Sequence, residues 1–217
     1  MSEAFLQQTF DRRTAYLQQL GRVDDQLLAP LMNPSLQGGP MWPSMRQCWR
    51  VVCGKKSTII CSDGLSDPFE DESEPNVGYG LEILGETTDL IGDQLPASWL
   101  FQMVYAVSQQ AAAHAGFREL IDDLGTFSME LRAPRSLQAI AGGAGTYGVL
   151  LGLLSPDWPA ECELPAGGIK YVTVKLLLQS ELDYAVNEDE AGRAVLRDRF
   201  ADSGSFHRSS LSRRAVV

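Results

Sequence analysis

The chain has 217 residues, 44% hydrophobic and 21% charged, which is the ordinary globular range and enough to bury a full core without disulfides or metals. Twenty-eight acids against eighteen bases give a net charge of −10, a field that repels nucleic-acid backbones and anionic membranes and attracts basic proteins. No apolar run reaches the roughly 20 residues a bilayer span needs, and "MSEAFLQQTFDRR" has no signal-peptide core; a cytoplasmic chain is expected, with free thiols at Cys48, Cys53, Cys61 and Cys162.

In chain order, "EAFLQQTFDRRTAYLQQL" sets Phe5, Leu6, Phe10, Leu17 and Leu20 on one stripe, with Arg12, Arg13 and the glutamines elsewhere. This predicts an amphipathic helix docked on a core. "LMNPSLQGGPMWP" is a proline- and glycine-rich loop. "RQCWRVVC" (46–53) and "STIIC" (57–61) flank the polar turn "GKK" and predict a hairpin. "VGYGLEILGE" (77–86) predicts a strand with Glu82 on a wetter face. "PASWLFQMVYAVSQQAAAHA" (96–115) repeats apolar residues at three and four and predicts a helix, with Pro96 in its first turn. "FRELIDDLGTF" is a candidate for a further short helix.

Val149 to Leu154 is a continuous apolar run bounded by glycine and proline, which predicts a central strand. "IKYVTVKLLLQ" (169–179) predicts another, and "SELDYAVNEDEAGRAVLRDRF" (180–200) ends as a helix. The elements do not alternate strictly. They predict a single α+β domain with a mixed or antiparallel sheet of about five or more strands flanked by helices. An N-terminal helix and loop (1–40) would pack on the main domain (41–202), followed by a mobile polar tail (203–217), although "RAVV" could still pair as an edge strand.

Few motifs carry chemistry. Gly143-x-Gly145-x-x-Gly148 has dinucleotide-fingerprint spacing, but a strand follows it where a helix N-terminus is required, so it reads as a glycine loop. Cys48 and Cys53 have no second pair to complete a zinc site and read as small buried hydrophobes. The two histidines, His114 and His207, complete no nucleophile triad in nearby sequence. No catalytic residue, cofactor or metal ligand is assigned.

The densest feature is "IICSDGLSDPFEDESEP", where a strand gives way to Asp63, Asp67, Glu70, Asp71, Glu72 and Glu74 with no intervening base. The spacing is not that of a calcium loop. "SDG" is a turn signal, and a loop holding six acids reads as solvated. Asp63 to Asp67 is expected to shape the turn, and Glu70 to Glu74 to form an acidic rim. All six, with Asp157 and Trp158 of the "SPDWP" loop, are candidate partner contacts.

"IICSDGLSDPF", "GYGLEILGET", "PASWLFQMVYAVSQQA", "YGVLLGLLSPDW" and "IKYVTVKLLLQSELDYA", in that order, resemble the suppressor of fused (SUFU) domain family, of the stand-alone bacterial type. The resemblance runs from about Met41 to Phe200. It implies protein binding without catalysis, and for the bacterial type an immunity protein that neutralises a toxin. A basic partner suits the acidic balance. A regulatory or scaffold protein with a non-toxin partner stays open, as does a metal-dependent hydrolase using Asp63 and Asp67.

Overall fold

The computed structural model describes residues 2–92, 94–114, 116–159 and 161–217. Helix α1 (Glu3–Leu20) comes first, its N-terminus capped by the Ser2 hydroxyl, which accepts from the Phe5 N–H. Its fully buried residues are Thr9, Arg13, Tyr16 and Leu17. The docked face is therefore rotated from the expected stripe: Phe5, Leu6 and Phe10 are half-buried, and Arg13 points inward.

Strands β1 (Arg22–Leu28), β2 (Trp49–Cys53), β3 (Thr58–Ser62) and β4 (Leu81–Thr87) run antiparallel in sequence order, with β2 and β3 forming the expected hairpin. Strands β5 (Phe127–Arg132), β6 (Thr146–Leu151), β7 (Glu161–Leu164) and β8 (Gly167–Leu177) complete an eight-stranded mixed sheet. Its order is β1-β2-β3-β4-β8-β6-β5, with β4 and β8 parallel and β7 paired to the first half of β8. The chain folds as a single α+β domain with this open sheet flanked by helices. Strands β1, β5 and β7 were not foreseen. Two acids interrupt the apolar pattern of β1, and β7 is only four residues long.

Side chains alternate across the sheet, so each face has its own cover. On one face Ile60, Leu81, Ile83, Val172 and Val174 pack against helix α2 (Trp99–Ala113). Gly85 of β4 permits that approach, since a Cβ there would lie 2.7 Å from Val104. On the other face Val52, Ile59, Cys61, Leu84 and Tyr171 meet Tyr16 and Leu17 of α1. Further along that face, Leu150 and Leu177 meet helices α4 (Gln179–Asn187) and α5 (Asp189–Asp202). Helix α3 (Phe117–Leu124) buries Phe117 and Ile121 against the α2 side. Strand β4, expected to keep one wetter face, is buried on both because α1 covers the side that carries Glu82. The segment expected to end as a helix does so in α5, and α4 precedes it; the two are divided at Asp189, whose φ of 48° breaks the helical path.

The C-terminal tail, expected to be mobile, packs as a strap. Beyond Leu84 and Thr173 strands β4 and β8 diverge, and Ser209 fills the gap. Its N–H donates to the Glu86 carbonyl, its hydroxyl accepts from the Leu176 N–H, and it bridges Thr87 in parallel. Arg213 makes a two-pronged ion pair with the buried Glu181, whose Oε1 also accepts from the Val216 N–H. The tail's polar composition suggested solvent. Its polar groups instead complete hydrogen bonds that the splayed strands leave open.

Candidate partner-binding surface

The acidic stretch divides into an interior half and an exterior half. From Asp63 to Pro68 every residue is buried. The turn after β3 is held by the Asp63 N–H donating to the Cys48 carbonyl and the Tyr79 N–H donating to the Leu65 carbonyl. Two glycines let the backbones approach this closely. A Cβ on Gly64 would lie 2.3 Å from the Arg46 carbonyl oxygen, and one on Gly78 (φ 55°) 2.2 Å from the Asp67 carbonyl oxygen.

Three carboxylates and three guanidiniums meet beneath this turn. The Arg13 guanidinium donates through Nη2 to Asp67 Oδ1 at 2.5 Å, and through Nη1 to Ser66 Oγ at 2.9 Å and Glu82 Oε1 at 3.3 Å. Its Nε lies 3.2 Å from Asp63 Oδ1. Arg46 Nη2 and Arg50 Nε both donate to Asp63 Oδ2, at 2.6 and 3.0 Å. Ser44 Oγ donates to Asp67 Oδ2 at 2.8 Å. Glu82 is fully enclosed and accepts from the Gly64 and Ser66 N–H groups and the Ser62 and Ser66 hydroxyls. Burial works to raise the Asp63 carboxyl, but Arg13 and Arg46 outweigh it and hold it below the usual carboxylate range. For Glu82 burial wins over Arg13, and its carboxyl is raised.

Asp63 and Asp67 are therefore not a solvated surface. They are the counterions of an arginine delivered by α1. The lone pairs that a recruited metal would need on them are engaged by arginines and a serine. Among the described residues no cluster of His, Cys, Asp and Glu can hold a metal ion.

Glu70, Asp71, Glu72 and Glu74 are all exposed. Their loop is tied down at its base. The Phe69 N–H donates to Asn76 Oδ1, and the Glu70 N–H donates to the Pro43 carbonyl. Glu70 Oε1 accepts from the Met45 N–H at 3.1 Å, and the Phe69 ring meets Tyr79 edge-on at 5.4 Å. Beside the loop lies a groove of about 330 Å³, with Leu6, Phe10, Pro68 and Phe69 as its apolar wall and Glu70 and Glu72 on its rim. The half-exposed Arg46 guanidinium packs over the Phe10 ring at 4.6 Å, so this wall is continuous with the buried ion cluster.

Asp157 and Trp158 lie elsewhere. Asp157 is exposed; Trp158 is half-buried, against the His207 ring at 4.2 Å, and lines a small separate cavity with Tyr16 and Tyr171. His207 is itself buried and hydrogen-bonded to Glu86 at 2.7 Å. The four cysteines are unpaired. Burial pushes the thiol of Cys48 up to about 12 and that of Cys162 up to about 11, so neither supplies a thiolate at neutral pH. The glycine loop leads into strand β6, where Gly148 makes room for Leu182 rather than for a phosphate.

The architecture is an open mixed α+β sheet with α1 and α2 on opposite faces, and it is similar in fold to a solved structure. A chain of "the Sufu-Fu complex crystal structure" superposes with a TM-score of 0.57 over 98% of this chain and 92% of that one, at 16% sequence identity. No protein-family model and no curated sequence matches the chain.

Proposed function

We propose that the chain is a non-catalytic protein-binding domain, and most concretely a cytoplasmic immunity-type protein that binds and neutralises a basic toxin. The observation that carries this is the pinned acidic rim: Glu70, Asp71, Glu72 and Glu74 project beside an apolar groove, with no basic residue among them. The fold of the Sufu-Fu complex chain supports partner binding in general. Proteins that act on phosphate backbones carry basic surfaces, and an acidic rim speeds their capture by electrostatic steering. Occupying the basic groove of such a partner would block its access to nucleic acid.

The test is affinity capture from native lysate at low and high salt, with bound proteins identified by mass spectrometry and repeated with a Glu70→Lys/Glu72→Lys/Glu74→Lys variant. The expected partner is basic, is lost at high salt and in the variant, and is toxic when expressed alone but harmless with this chain. A partner retained equally by the variant rules out the rim. A rim-dependent partner that is harmless by itself makes the domain a regulatory or scaffold protein instead.

A further inference from the structure

The connection from β1 to β2 is 20 residues long, Ala29 to Cys48, with one short 3-10 turn in it. Connections of such length in a compact domain are usually functional. This one is rigidly held. Trp42 is buried edge-on against Trp49 at 5.3 Å. Asn33 Nδ2 donates to the Met45 carbonyl at 2.7 Å while its Oδ1 caps a short 3-10 turn, and the Met41 carbonyl accepts from the Tyr79 hydroxyl at 2.9 Å.

What this scaffold displays is apolar. Leu31, Met32, Leu36, Met41 and Met45 are each more than half exposed. With Leu27 they make up six of the twelve large hydrophobic side chains exposed among the described residues. An ordered loop that buries its tryptophan and turns its methionines to solvent does not gain stability from them. Exposed apolar side chains concentrated on one ordered loop suit a protein contact, and methionine's flexible, polarisable side chain suits an adaptable one.

The platform adjoins the acidic rim directly, because the Met45 N–H is bonded to Glu70 and Ser44 and Arg46 line the groove on either side of Met45. From this juxtaposition we infer that the platform and rim together receive an amphipathic basic segment of a protein partner, its apolar side on Met32, Met41 and Met45 and its basic flank on Glu70, Glu72 and Glu74. This rests on the rim being a binding surface and adds an apolar anchor beside it. Charge complementarity selects this occupant. A second copy of this acidic chain would place like charges together, and an anionic membrane would be repelled.

The probe is a fluorescently labelled leucine–lysine amphipathic helical peptide. A leucine–glutamate helix and a glutamine–lysine peptide of equal charge serve as comparisons, all read by anisotropy at two salt concentrations. The leucine–lysine helix should bind, the leucine–glutamate helix should not, and the glutamine–lysine peptide should bind at least roughly tenfold more weakly. Met32→Gln/Met41→Gln/Met45→Gln should weaken the leucine–lysine helix by a similar factor while leaving its salt dependence in place. The rim charge reversal should instead remove the salt dependence. If the methionine variant binds unchanged but the charge reversal does not, the apolar anchor is wrong and the rim stands. If the charge reversal has no effect, the rim itself fails.

Discussion

Arg13→Met tests the central feature of the molecule, a guanidinium on one helix that neutralises carboxylates fifty or more residues away. Methionine keeps the apolar stem and removes the charge, leaving Asp63, Asp67 and Glu82 to Arg46 and Arg50, which are both partly solvent-exposed. Removing one partner of a buried ion pair costs about 3–5 kcal/mol, against a total domain stability of about 5–15 kcal/mol. With a urea dependence of roughly 2–3 kcal/mol per molar, the unfolding midpoint should fall by about 1–2 M. Tryptophan fluorescence reports it, since Trp42 and Trp49 are buried close to the ion cluster. A second readout follows from the depressed Asp63 carboxyl, which contributes stability above its unfolded pKa that is lost as pH falls through the lower folded value. Without Arg13 the folded value rises toward the unfolded one, so the acid-side loss still begins at the unfolded pKa but ends at higher pH and is smaller. Adding Asp67→Asn should recover part of the deficit, with a coupling of about 1–3 kcal/mol. A loss below about 1 kcal/mol, the worth of a surface ion pair, together with an unmoved acid limb, refutes the assignment.

Gly78→Ala forces a Cβ against the Asp67 carbonyl at a φ of 55° and should destabilise by more than about 1 kcal/mol, whereas Gly143→Ala, with no neighbour within 4 Å, should be close to neutral in the same thermal melt. Lys175 is buried over the Phe200 ring and donates to the Arg208 carbonyl and Ser205 hydroxyl; burial, with Arg213 adding to it, pushes its amine down to about 7. Between that value and 10.5 only the unfolded chain binds the proton, so stability should rise with pH across this window by up to roughly 5 kcal/mol, and Lys175→Met should flatten the rise in urea midpoints measured along a pH series. The strap from His207 to Val217 should resist limited proteolysis until the domain unfolds; cleavage at the rate of a free peptide would show that its bonds to Glu86, Leu176 and Glu181 do not hold.

The hairpin, helix α2, strand β6 and the α+β class were legible because each is written in local periodicity and turn chemistry. The inward face of α1 was not. Counting apolar residues put Phe5, Leu6 and Phe10 on the buried stripe and Arg13 off it, yet Thr9, Arg13, Tyr16 and Leu17 share the face that docks. The signal was present as one arginine at helical spacing between residues that pack, but nothing local names its counterions, which lie on another strand and another turn. The same gap hid the cations that hold Asp63 and Asp67 inside the turn they were expected to shape. Six acids in a row of loop residues predict solvent only if no cation arrives from elsewhere, and three arginines do. Among the described residues Glu70 to Glu74 have no such visitors, and they stay outside.

That division has a consequence for binding. The ion cluster is neutral, three guanidiniums against three carboxylates, so the net charge of −10 is carried by the remaining residues, with the rim one concentrated share of it. The cluster fixes the turn from which the rim loop departs, and the loop is fixed again at Asn76, Pro43 and Met45. A partner meeting this surface would not have to order it, which removes a conformational cost from association. Stability and recognition are thus separable in adjacent residues of one stretch. Substitutions at Arg13 or Asp67 should lower the melting temperature, and binding only through the loss of folded protein. Charge reversals at Glu70, Glu72 and Glu74 should leave the melt within about 0.5 kcal/mol of the parent while changing the association rate and its salt dependence. If rim variants unfold the domain, or if Arg13→Met weakens binding at temperatures where it remains fully folded, the two halves are not independent and the interior cluster must itself take part in recognition.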